Sequence, residues 1–329
     1  MNGATLASLY KYRLSGYTEW EGMKVLEDSS VCYVLYPQNC GKFLSIDETA
    51  LSRDEVFTIV TNKDGHGGKG TLVAMISSIA SADIIAVLRK IDQQKRLKVR
   101  EITCDLSAAM MESARSAFPF ADVVNDRFHV QQLFNEAMDE IRIDIRHQVR
   151  REENEMKEFC QENGQEFVPR KMRNGETMPQ ILLRSKHALM MAPNKIKPHQ
   201  KERLDILFES YPLLKTAYDL MGELRRIFNM NLKVSKAGFI LNEWFEKVVA
   251  TGNESFKQII RTFKNNYKTI LGYFKRRSTN ASAESFNAKI KMFRTQLRGI
   301  CDPAFFIFRL QKLAQSEKPV VFMRIVSLA

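Results

Sequence analysis

The spacing of apolar residues changes near residue 130, and that change limits what the chain can fold into. Before it the apolar runs are short. Phe43–Glu48, Val56–Thr61 and Thr71–Ser77 are apolar or β-branched stretches of strand length. Three such runs with short connections predict a meander. Lys63–Gly70, with four glycines in eight positions, is its turn. Val99–Cys104 and Ala121–Asn125 read as a fourth and a fifth strand. Between them, Ser81 or Asp83 can cap a helix carrying Ile84, Ile85, Val87, Leu88 and Ile91. Ser107 can cap the next, through Met110, Met111 and Ala114, with Pro119 beyond its end.

From about residue 130 the pattern is almost entirely helical. Residues 130–163 read as one long charged helix, and 164–179 as a loop. Further helices are expected over 180–191, 198–230, 235–250 and 253–275. Most of this stretch is too polar to form a core alone and must pack as a bundle. The expected organisation is an N-terminal segment (1–42), a first core part (43–140), a helical insertion (141–275) and a core completion (276–329).

Charge follows the same division. Residues 1–140 carry 15 Lys and Arg against 19 Asp and Glu, whereas 141–300 carry 31 against 17. The net charge of +12 is therefore concentrated in the helical half. A basic surface of that size attracts polyanions, because neutralising phosphates releases counterions. No apolar run reaches the ~18 residues that a membrane span needs. The N-terminus lacks the charged-then-apolar pattern of a signal peptide. Five scattered cysteines, Cys32, Cys40, Cys104, Cys160 and Cys301, form no CxxC pair, which argues against a disulfide framework and a zinc ribbon. These features predict a soluble, reducing, cytoplasmic setting with no membrane partner.

Three carboxylates carry the chemistry. Asp47 and Asp105 both stand where an apolar run stops, and strand ends gather along one edge of a sheet. Two carboxylates there can hold Mg²⁺, a hard ion that prefers oxygen ligands. Glu284 can complete the set from the first turn of a helix capped by Asn280 or Ser282, with Phe286, Ile290 and Phe293 facing the core. Asn287 and Lys291 project from nearly the same face as Glu284. Two ions held ~4 Å apart by such ligands support in-line attack on a phosphodiester. Acidic residues at strand ends are also common without any metal.

Four segments in order, Leu44–Thr49, Ile102–Ser107, Phe118–His129 and Asn280–Lys291, resemble bacterial insertion-sequence transposases of the DDE type. The branch is the ISL-three group, whose ribonuclease-H-like domain is interrupted by a helical insertion. The resemblance covers about 43–329. Its most distinctive boxes are Asp126-Arg127-Phe128-His129 and the run from Asn280 through Glu284 and Asn287 to Lys291. It implies an α/β fold: a ribonuclease-H-like mixed five-stranded sheet flanked by helices and interrupted by a large all-α insertion. It implies that Asp47, Asp105 and Glu284 are catalytic and bind Mg²⁺ or Mn²⁺, as two ions. The implied reaction is nicking at transposon ends, then attack of a 3′-hydroxyl on target DNA. The implied partner is double-stranded DNA, bound at the nucleoid by a dimer or higher assembly, since two ends must be paired.

Full-length relatives carry an end-recognition region before the core, whereas about 42 residues precede the first strand here. The expectation is that a separate polypeptide or an upstream frame supplies recognition. The alternatives are a ribonuclease-H-like nuclease without strand transfer, a domesticated inactive DNA-binding protein, and a helical scaffold.

Asp126 is the rival to Asp105 as second ligand, an outer carboxylate, or the cap of the following helix. Asp105 is preferred because its strand should lie beside that of Asp47. His129 either approaches the scissile phosphate or positions Asp105, or it makes an ordinary hydrogen bond near the sheet edge. The glycine-rich loop has no nucleotide-binding spacing and is a hairpin turn. Trp244, with Phe239, Phe245 and Leu241, is bundle core or a stacking platform for a flipped base. Lys275, Arg276 and Arg277 are a solvated face or a DNA contact. Lys289, Lys291, Arg294 and Arg298 recur along the Glu284 helix and are expected to meet phosphates.

Overall fold

A computed structural model describes residues 3–27, 30–50, 56–296 and 303–315. The strands are β1 (Lys24–Val25), β2 (Cys32–Leu35), β3 (Phe43–Ala50), β4 (Val56–Asn62), β5 (Leu72–Ile76), β6 (Glu101–Cys104) and β7 (Asp122–Asn125). The first helices are α1 (Gly3–Leu9), α2 (Ser81–Leu88), α3 (Gln93–Arg96) and α4 (Ala108–Ala117). Then come α5 (Arg127–Glu162), α6 (Met178–Arg184), α7 (Lys186–Leu189), α8 (Pro198–Ser210) and α9 (Pro212–Asn229). The last are α10 (Val234–Ala250), α11 (Lys257–Arg276), α12 (Ala281–Gln296) and α13 (Pro303–Gln315). Packing divides the chain into two compact units, one of Met1–Asp126 with Arg277–Ala329 and one of Arg127–Arg276.

The first unit is built on one mixed sheet with strand order β1-β2-β5-β4-β3-β6-β7. The meander is present: β3, β4 and β5 pair antiparallel in sequence order. β6 joins β3 in parallel and β7 joins β6 in parallel. Among the described residues the sheet has seven strands, not the expected five. Cys32–Leu35 pairs with β5 and carries β1 on its outer edge. The pairing of this edge depends on the open side of β5, which is distant in sequence, so it was not legible there.

The two sheet faces have separate cores. On one, Leu44, Ile46, Val60 and Ile102 pack under Ile84, Val87 and Leu88 of α2 and Met110, Met111 and Ala114 of α4. On the other, Phe57, Ile59 and Met75 pack under Phe286, Ile290 and Phe293 of α12 and Phe306, Ile307 and Leu310 of α13. The apolar stripe expected of the Glu284 helix is therefore its seat on the sheet. Ser107 caps α4 through its Oγ, as its position predicts. Neither Ser81 nor Asp83 caps α2. The N-cap is Ala80, and Ser78 Oγ accepts the Ala80 N–H while donating to Asp83. Residues before β1 also pack in this unit, with Tyr17 edge-on to Phe305 and Phe308 of α13.

The second unit is all helical. The expected helix over 198–230 is two helices, α8 and α9, broken at Tyr211. Proline disfavours helical backbone in the residue before it, and Tyr211 takes φ −135° ahead of Pro212. Trp244 is 0% exposed, with its indole N–H donated to the Leu220 carbonyl at 2.9 Å and its rings against Phe134 and Phe263. It is core and has no face to offer a base. Phe239, grouped with it from the sequence, is instead 65% exposed. Buried Arg142 of α5 bonds Asp139 at 2.7 Å and the Leu182 carbonyl of α6 at 3.1 Å, so its charge is paired where it is buried. Among the described residues, no helix is long and apolar enough to cross a membrane.

Candidate active site

Asp47 lies within β3, not at its end. Its antiparallel partner β4 continues the ladder to Ala50, opposite Val56, so the strand runs on past the carboxylate. On the β6 side the parallel ladder stops at Ser45 opposite Thr103. Two residues beyond that last pair stand Asp47, within β3, and Asp105, just past the end of β6. Asp47 is paired with Ile59, which faces α12, so Asp47 shares that face.

Each Asp47 oxygen accepts a hydrogen bond. Oδ1 takes the Glu48 backbone N–H at 2.9 Å, and Oδ2 takes the side-chain amide of Asn287 at 2.7 Å. Asp105 Oδ1 accepts the Ser107 N–H at 2.9 Å, which fixes the turn into α4. Asn125, fully buried at the end of β7, donates its amide to the Asp105 carbonyl at 2.7 Å. Glu48, exposed next to Asp47, holds its proton above the ordinary carboxylate range. Partial burial is the main cause, followed by the charges of Asp105 and Asp47. These three carboxylates therefore share one electrostatic neighbourhood.

Glu284 is exposed on the first turn of α12, one turn before Asn287. Among the described residues, no group of three or more His, Cys, Asp or Glu side chains is arranged to hold a metal ion. The structure thus ties Asp47 to α12 through Asn287 and does not draw Glu284 into a three-carboxylate cluster. The donor atoms that Asp47, Asp105 and Glu284 offer are carboxylate oxygens, the kind a hard divalent cation takes.

Asp126 has a further role beside those the sequence offers. It is 1% exposed and its Oδ2 accepts the Asn280 N–H at 2.7 Å, at the start of α12. Its own N–H donates to the Cys104 carbonyl at 3.0 Å, extending the β6–β7 ladder by one residue. His129 belongs to the helical unit, half-buried on the first turn of α5 and edge-on to Phe128.

The basic residues divide. Lys289 donates its ammonium to the Gly67 carbonyl at 2.7 Å, which ties α12 to the glycine-rich loop. That loop joins β4 to β5 as expected of a turn, with Gly67 and Gly70 at positive φ. Lys291 and Arg294 are exposed on α12, and Lys275 and Arg276 are exposed in the last turn of α11. Arg277, half-buried, has φ +55° where the chain returns to the first unit. Arg298 and the side chain of Ser282 lie outside the described residues.

One cluster was missed from the sequence. Lys63 reaches Glu101, which is wholly buried, at 3.5 Å and also bonds Thr103. Burial pushes the Lys63 pKa down, and Glu101 opposes that shift. The available signal was alternation, because Glu101, Thr103 and Asp105 must share one face of a strand.

A family model described as Transposase, DDE_Tnp_ISL3, matches residues 44–310. The chain belongs to this family. The matched span includes every strand from β4 to β7, nearly all of β3, and the whole helical unit. For a transposase of this group, activity on DNA follows from membership. A search of curated proteins found no match, and a search of solved structures found none either.

Proposed function

We propose that this transposase cuts DNA at transposon ends and joins the freed 3′-hydroxyl to target DNA, with Asp47, Asp105 and Glu284 as its Mg²⁺ or Mn²⁺ ligands. The observation that carries the reading is that Asp47 and Asp105 each follow, by two residues, the last pair of two adjacent parallel strands, and that Asn287 ties Asp47 to the helix that bears Glu284. The mixed block β5-β4-β3-β6-β7, interrupted after Asp126 by an all-helical unit, supports a ribonuclease-H-like core. When bound, two ions would supply charge stabilisation to the attacking and leaving oxygens of a phosphodiester.

The protein's own groups do the positioning. Asn287 is a neutral donor, so it orients Asp47 without cancelling the charge a cation needs. Asp126 and Asn125 fix the strand end that carries Asp105. Lys291 and Arg294, on the helix of Glu284, would meet phosphates, as would Lys275, Arg276 and Arg277. Two copies would pair two ends, with the assembly working at the nucleoid.

The test uses a duplex carrying the element's own end, with nicking and 3′-hydroxyl joining scored separately. Asp47→Asn, Asp105→Asn and Glu284→Gln should abolish both reactions and leave DNA binding intact. Near-normal nicking by any one variant removes that residue from the set. Nicking without joining in the unaltered protein identifies a nuclease instead.

A further inference from the structure

The helix of Glu284 is held to the sheet at two polar points that bracket the glutamate. Asn280, four residues before it, gives its N–H to Asp126 at 2.7 Å. Asn287, three residues after it, gives its amide to Asp47 at 2.7 Å. Both donors are nearly inaccessible, at 0% and 7% exposure. The first bond also spans 154 residues, and those residues include the whole helical unit. Asp126 is the last residue of the sheet unit before the chain departs, and Asn280 follows its return at Arg277. The apolar side chains of Phe286, Ile290 and Phe293 lie on later turns of α12. They fix the helix to the sheet, whereas its first turn, where Glu284 stands, buries only the small side chain of Ala283 beside the polar anchors.

We infer that Asp126 and Asn287 are a pair of positioning residues that set the first turn of α12, and with it Glu284, against the strands of Asp47 and Asp105. The inference rests on the reading of those three carboxylates as the acting groups. Asp126 works here as a buried acceptor rather than as a ligand. An asparagine at 126 retains an acceptor oxygen, whereas an alanine does not. Asn287 works as a donor, which a leucine of similar size lacks. Removing either anchor frees the start of the helix while its apolar seat remains. Misplacement of a reacting group by ~1 Å can cost about a hundredfold in rate, with substrate affinity little changed.

Two measurements on the full chain decide it. The first is hydrogen exchange at the backbone amides of 281–284 in metal-free protein, which needs no activity. Asp126→Ala and Asn287→Leu should each speed that exchange by roughly tenfold or more, with the amides of 290–294 unchanged. The second is nicking of supercoiled plasmid with Mn²⁺. Both variants should lose kcat by about a hundredfold at constant KM. Asp126→Asn should restore exchange and kcat to near the unaltered protein's values.

If Asp126→Asn is as inactive as Asp126→Ala while its exchange is normal, Asp126 acts through its charge and the positioning role is wrong. Unchanged exchange in Asp126→Ala and Asn287→Leu also overturns it. If the unaltered chain does not nick at all, the proposed reaction fails, and the exchange result alone still decides whether the two anchors hold the helix.

Discussion

The side-chain amide of Asn287 donates to Asp47 at 2.7 Å, although 240 residues of chain separate them. Local sequence cannot bring two such residues together. The bond exists because Ile59, paired with Asp47, and Phe286 and Ile290, which flank Asn287, belong to one apolar cluster. Burying that cluster delivers the polar pair beside it. A hydrogen bond to a charged group of this kind contributes ~1.5–3 kcal/mol.

Glu48 is placed to report the charge of the site. Its folded pKa is raised above 4.5 by partial burial, then by Asp105 and Asp47. The folded chain thus binds that proton more tightly than the unfolded chain does. The resulting stabilisation is complete below 4.5 and is lost as pH rises through the raised value. Glu48→Gln should therefore melt higher than the unaltered protein at neutral pH, with the difference vanishing in acid. Thermal unfolding in EDTA, from about pH 4 to about pH 8, checks this. Equal melting temperatures at neutral pH would show that neither burial nor the two aspartates raises the Glu48 pKa.

Trp244 tests the assignment of the helical unit's core. Trp244→Ala removes a fully buried ring packed on Phe134 and Phe263 and should cost ~3–5 kcal/mol by chemical denaturation. Trp244→Phe should cost less and leave affinity for DNA unchanged. A large loss of DNA affinity in Trp244→Phe, with stability retained, would return the ring to a stacking role.

Lys291 and Arg294 test where DNA lies. Replacing both by glutamate should weaken binding and flatten the dependence of log affinity on log salt by ~0.9 for each phosphate that is no longer neutralised. Filter binding or anisotropy across a salt series measures the slope. An unchanged slope would place this face of α12 away from the duplex.

Much of this was determined by sequence alone. Short β-branched runs with turns between them dictate the meander, because side chains alternate along a strand. Helical periodicity beyond residue 130 dictates the second unit, and Phe286, Ile290 and Phe293 dictate which side of the Glu284 helix is buried. The four boxes pointed to the transposase family that the match over 44–310 establishes. The tertiary structure decided what depends on neighbours distant in sequence. It made a strand of Cys32–Leu35, because β5 offered an open edge. It put Asp47 inside β3, because β4 is long enough to continue the ladder. It turned Asp126 toward Asn280 and Lys289 toward Gly67, hydrogen bonds whose partners lie 154 and 222 residues away. Such bonds carry no local pattern. They form only once apolar burial has brought the helix onto the sheet, and the polar groups beside it must then find partners within reach.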